Sequence, residues 1–149
     1  MARIARQPQS CLQASVGLLA RREHSRLELQ RKLAIRGFAG DEIGVVLDEL
    51  EGGDLLSDER YAEAFARQRV MKGNGPIKIR HELKERGVSD DLIAQALEPW
   101  QEQWVEVAAK QHEKRFGKMP EDVKERARQT RYLQSRGFGF DVIRQIISD

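Results

Sequence analysis

The residues of this chain best suited to chemistry are three histidines, His24, His81 and His112, and one cysteine, Cys11. Metal binding or nucleophilic catalysis needs such groups close together, as H-x-x-x-H, H-E-x-x-H or a cysteine beside a histidine. The spacings here are far wider. His112 falls on an apolar helical stripe, where a packed imidazole is the expected role. Cys11 lies near the N-terminus without a partner motif and reads as an idle thiol. Gly73-Asn74-Gly75-Pro76 has the glycines of a phosphate loop, but neither the preceding strand nor the G-K-[ST] that would place lysine and magnesium. It reads as a helix connector. The sequence predicts no active site, no metal and no cofactor.

Basic residues offer a different chemistry, the binding of a partner that is wholly or partly anionic. Arg21, Arg22 and Arg26 straddle the first helix junction; Arg67, Arg69 and Lys72 end the fourth helix; Lys78, Arg80 and Lys84 follow on the fifth. Arg80 and Lys84 share a side by their i, i+4 spacing, and Lys78 lies away from the Ile79/Leu83 stripe. A charged run is ordinarily a solvated face. Clustering at helix junctions would instead let these nine residues line one side of a rod.

The elements that position them are helices. Ala, Leu, Glu, Arg and Lys dominate the segments, and β-branched alternation is scarce. One phrase organises the chain: LAIRGFAGDEI from Leu33 returns as LKERGVSDDLI from Leu83 and as LQSRGFGFDVI from Leu133, each return 50 positions on. Gly37, Gly87 and Gly137 are the expected left-handed stops, and Leu33/Phe38, Leu83/Val88 and Leu133/Phe138 the apolar pairs of a Schellman motif. Arg36, Arg86 and Arg136 fall where a cation favours the helix C-terminus. The phrase is mainly a corner. Ser25 and Glu28 form a predicted capping box, Leu12, Val16 and Leu19 mark a short first helix, and Pro120 is expected to open the eighth.

The predicted fold is all-α: three tandem three-helix repeats forming an elongated rod, its curvature left open. The expected divisions are a flexible tail over 1–10 and repeats over 11–53, 54–100 and 101–149. A unit this small buries too little surface to be secure alone, so stacking on its neighbours is the expected remedy. Charge adds a constraint: 26 basic against 24 acidic residues give a net +2. Eight basic residues face six acidic ones over 1–50, eight face ten over 51–100, and ten face eight over 101–149. Strong nonspecific DNA affinity is not implied. A single cysteine suits a reducing compartment, no apolar run approaches bilayer length, and no secretory h-region appears. A cytoplasmic monomer without membrane contact is expected.

The chain resembles the RecX family, bacterial regulators of the RecA recombinase. The resemblance is carried by Leu18-Leu19-Ala20-Arg21-Arg22-Glu23-His24-Ser25 with Glu28-Leu29 and Lys32-Leu33, by Asp58-Glu59-Arg60-Tyr61-Ala62-Glu63-Ala64-Phe65 with Arg69, and by Gly75-Pro76, Ile79, Leu83 and Arg86-Gly87-Val88. It spans roughly residues 14 to 98; the third repeat matches in pattern rather than in words. The resemblance implies a non-enzymatic modular protein. It would bind RecA, chiefly as the filament on single-stranded DNA, with weak direct DNA contact, and would restrain strand exchange, ATP hydrolysis and coprotease activity. The nine basic residues would face filament and DNA, and Tyr61 and Phe65 would hold the middle repeat together. Two rival readings stand beside it: a helix-turn-helix-like DNA-binding protein acting without RecA, and a scaffold for an unrelated protein.

Overall fold

The computed structural model describes residues 8–147, and among them every regular element is a helix. The helices are α1 (Cys11–Arg21), α2 (Arg26–Ile35), α3 (Gly40–Gly52), α4 (Asp58–Met71), α5 (Pro76–Glu85), α6 (Asp90–Leu97), α7 (Trp104–Arg115), α8 (Val123–Ser135) and α9 (Phe140–Ile146), with a short 3₁₀ turn over Glu98–Trp100. They fall in three successive triplets. Residues 1–7 of the expected tail and the last two of the third repeat lie outside the described residues.

The repeated phrase folds alike three times. Phe38 N–H donates to Leu33 O, Val88 to Leu83 and Phe138 to Leu133, at 3.3, 3.1 and 3.1 Å. Gly37, Gly87 and Gly137 take φ of 93°, 79° and 100°. These are the 6→1 bonds and left-handed stop of a Schellman motif. Leu33 and Leu83 are fully buried behind their corners, as is Leu133.

The contacts divide the chain into two compact units between Tyr61 and Ala62. In the first, α2 packs on α3 and α1 on both. Its core joins Cys11, Ala14 and Leu18 to Leu29, Leu33, Ile43, Leu47, Leu50 and Leu56. In the second, α5 packs on α6, and α7 on α8 and α9, around Phe65, Ile79, Leu83, Ile93, Trp104, Leu133, Phe138 and Ile143.

The short first helix forms as expected, though a different face of it is buried, and two other local expectations need correction. Leu12 and Val16 lie on the outer side of α1, 42% and 44% exposed, because Cys11, Ala14, Ser15 and Leu18 turn inward instead. Ser25 caps α2 by accepting from Glu28 N–H at 3.1 Å, but the Glu28 carboxylate does not return the bond; Arg22 holds it. The reciprocal box is at α1, between Ser10 and Gln13. Pro120 does not open α8. Asp122 does, its carboxylate accepting from Glu125 N–H at 2.7 Å.

Candidate basic interface

In the first unit the predicted arginines meet carboxylates. Arg22 donates to both oxygens of Glu28, at 3.0 and 2.9 Å. Arg26 pairs with Asp48 at 2.9 Å and Glu51 at 3.0 Å, while its backbone N–H donates to Asp58 Oδ1 at 2.7 Å. Asp58 and Ser25 thus satisfy the start of α2 from two directions. Burial pushes the Asp58 carboxyl up, partly opposed by that N–H. Two residues on, Arg60 bridges Glu23 at 2.9 Å and Asp54 at 3.0 Å, and Tyr61 is buried. Arg21 alone of the first three is exposed with no ion pair among the described residues.

His24 is the buried group here that spacing did not reveal. It is 1% exposed. Its Nδ1 lies 3.0 Å from Arg22 O and its Nε2 2.8 Å from Lys32 Nζ. An ammonium can only donate and a carbonyl only accept, so the ring is neutral, with its proton on Nδ1. Burial lowers its pKa, and the charges of Arg22 and Lys32 lower it further.

In the second unit Arg69 turns inward. Its Nε donates to Glu82 Oε2 at 3.1 Å, with both side chains mostly covered. Its guanidinium sits 4.4 Å from the centre of the Phe65 ring, and Arg86 lies 4.8 Å from the same ring. Phe65, 7% exposed, is therefore an anchor for two cations. Lys84 reaches Asp90 at 3.3 Å, both exposed. Arg67 and Arg80 are exposed on α4 and α5, without ion pairs among the described residues. The structure thus separates the nine: Arg22, Arg26, Arg69 and Lys84 are paired internally, whereas Arg21, Arg67, Lys72, Lys78 and Arg80 have no ion pair among the described residues.

Lys72 and Lys78 are brought to one place by a contact that sequence reading missed. The connector between α4 and α5 lies along the third corner. Gly75 N–H donates to Arg136 O at 2.7 Å and Ile77 N–H to Gly137 O at 3.0 Å. The Arg136 guanidinium caps the Lys72 carbonyl, and Asn74 folds back onto Arg69 O through its side-chain amide at 3.2 Å. A Cβ on Gly137 would lie 2.6 Å from Lys78 Cβ, and one on Gly75 2.5 Å from Gly137 O. Both glycines are needed for this approach. Exposed Ile77 and Phe140, 52% and 61%, border the same corner. The sequence signal was present in Arg136-Gly137-Phe138-Gly139, but only the fold shows that this corner also receives a neighbouring segment.

His112 is packed, as expected: its Nε2 is 2.7 Å from Gln129 Oε1, at 5% exposure. Cys11 is fully buried, and burial, with the nearby Glu42 charge, raises its thiol pKa. No described helix is long and apolar enough to cross a membrane.

Comparison with known proteins supplies the remaining constraint. Three family models match in order: the first three-helix domain of RecX over residues 11–50, the second over 57–97 and the third over 101–147. The Regulatory protein RecX of Chromohalobacter salexigens is 44% identical over 90% of this chain and 88% of its own length. That of Pseudomonas savastanoi pv. phaseolicola is 42% identical over 95% and 92%. The crystal structure of RecX from Lactobacillus salivarius superposes with a TM-score of 0.78 at 25% identity, covering 91% of each chain. With three matched domains in sequence, an all-helical fold and this identity over nearly its whole length, the chain belongs to the RecX family of regulatory proteins.

Proposed function

We propose that the protein binds RecA, mainly as the nucleoprotein filament on single-stranded DNA, and restrains its strand exchange, ATP hydrolysis and coprotease activity. The observation that carries this reading is membership of a family of regulators across all three repeats. Of the nine basic residues, those without an internal ion pair face filament and DNA. Arg21, Arg67, Lys72, Lys78 and Arg80 supply the direct contacts, because no internal carboxylate neutralises them. Arg22, Arg26, Arg69 and Lys84 act mostly by holding the helices that present the others. Tandem repeats suit a polymeric target, since each adds a modest contact and linkage combines them by effective concentration. The protein performs no catalysis of its own.

RecA's DNA-dependent ATPase, titrated with this protein, tests the proposal. Inhibition is expected, and Lys72→Glu, Lys78→Glu and Arg80→Glu together should weaken it by about tenfold or more at low salt, with helicity unchanged. Full inhibition by the triple variant would move the contact elsewhere. No effect on RecA, with sequence-selective binding to bare duplex, would replace the reading with that of an autonomous DNA-binding protein.

A further inference from the structure

The most basic helix of the chain and the most acidic one carry outer faces of matching pattern. On α8, Lys124, Arg126, Arg128 and Arg131 stand against Glu125 alone. On α3, Asp41, Glu42, Asp48, Glu49 and Glu51 stand with no base on the same helix. Like charges repeated along one helix repel and weaken it. Elsewhere the chain alternates signs, as in Glu106–Lys110 on α7. Faces that cost their helices stability speak for a partner of opposite charge.

Much of each face is uncommitted. Lys124 and Arg131 are exposed with no ion pair among the described residues, while Arg128 between them is held by Glu125 at 3.0 Å. Asp41, Glu42 and Glu49 are exposed and also without ion pairs among the described residues, whereas Asp48 and Glu51 share Arg26. The spacings agree. Lys124 and Arg131 lie seven residues apart, as do Asp41 and Asp48, and Glu42 and Glu49. Seven residues are two turns, about 10.5 Å of helix. Between the bases lies Ala127, exposed and too small to hold a neighbour off. Between the acids lies Val45, 62% exposed. With Val45 set over Ala127 and the helices antiparallel, Asp48 and Glu49 meet Lys124 while Asp41 and Glu42 meet Arg131. The antiparallel sense also brings the negative end of one helix dipole to the positive end of the other.

We infer that α8 of one copy of this protein receives α3 of a second copy, joining copies head to tail. A second copy is the occupant because the acidic, apolar, acidic face that complements α8 at its own spacing is written in this same chain. Such a contact is heterologous, so it can repeat from copy to copy. Two helix turns cover far less than the roughly 800 Å² per partner of a standard interface, and free copies therefore associate weakly. Copies held side by side on a repeating target meet at high effective concentration, where the contact makes their loading cooperative. That consequence rests on the filament reading above; the contact itself does not.

The test is zero-length carbodiimide crosslinking of the full chain at high concentration, without recombinase or DNA, in a mixture of isotopically heavy and ordinary protein. Mixed-isotope peptides joining Lys124 to Asp48 or Glu49 are expected, and they should fade as salt is raised. Arg131→Glu should cut their yield about threefold or more, since an exposed ion pair becomes a repulsion. When the Arg131→Glu copy is heavy and its ordinary partner carries Glu42→Lys, products from the heavy Lys124 should recover in part, which a merely misfolded variant would not show. Same-isotope products alone would place the pairing within one chain and overturn the inference. A yield indifferent to Arg131→Glu overturns it too, as does a loss that Glu42→Lys leaves unreversed. So does the absence of any such product, which assigns α8 to a different anionic partner.

Discussion

At the scale of single residues, the side chains that carry the family resemblance turn out to be clasps. Asp58 caps a helix 32 positions earlier, Arg60 ties Glu23 to Asp54, and Phe65 seats Arg69 and Arg86. His24 has consequences that depend on pH. Its folded pKa lies below the ordinary 6.5 because burial, then Arg22 and Lys32, disfavour the imidazolium. The unfolded chain therefore binds the proton more readily. The stabilisation is complete above about pH 6.5 and is lost as pH falls through the lowered folded value. Urea melts of the wild type should show stability declining below that point. His24→Gln, which keeps one donor and one acceptor but does not titrate, should decline less over the same interval. An equally steep decline would remove His24 as the cause. His24→Ala should cost about 1–3 kcal/mol at neutral pH, since it strands buried hydrogen-bonding groups.

Among elements, the corners were the most legible feature, because a Schellman stop is written in contiguous residues: a leucine, an arginine, a glycine and an apolar residue. Helix ends set by short-range caps, such as Ser25 at α2, were legible for the same reason. Pro120 misled because a permitted first-turn residue does not compel a helix to begin, whereas Asp122 accepts a bond from its own first turn. The basic clusters were legible as charge but not as available charge. Glu82, Asp48 and Glu51, which neutralise Arg69 and Arg26, lie on other helices, and one-dimensional spacing does not show them. The corners themselves yield a paired prediction. Gly37→Ala and Gly137→Ala both force a side chain into the left-handed region, at about 1–2 kcal/mol. A Cβ at Gly37 meets nothing within 4 Å, whereas one at Gly137 drives into Lys78. Chemical denaturation should find the second substitution more damaging by about 1–3 kcal/mol. Equal losses would show that the connector yields freely.

For the molecule as a whole, three repeats in sequence do not make three independent parts. The second and third triplets share one compact unit, and two backbone hydrogen bonds run from the connector of one to the corner of the other. Removing residues 101–149 should therefore leave residues 62–100 less helical than they are in the full chain, as hydrogen exchange over α5 would record. Unchanged protection there would make the third repeat dispensable to the second. A truncation thus reports on folding and binding together, and surface substitutions are the cleaner probe of contacts. The lone thiol has a practical bearing on such work. Cys11 is sealed in the first core with its thiolate disfavoured, so maleimide dyes should spare it in the native protein. A cysteine introduced at an exposed site away from the proposed contacts, such as Ile35 on α2, could then be labelled selectively without first deleting the natural one, and single-molecule tracking could follow the otherwise unaltered sequence.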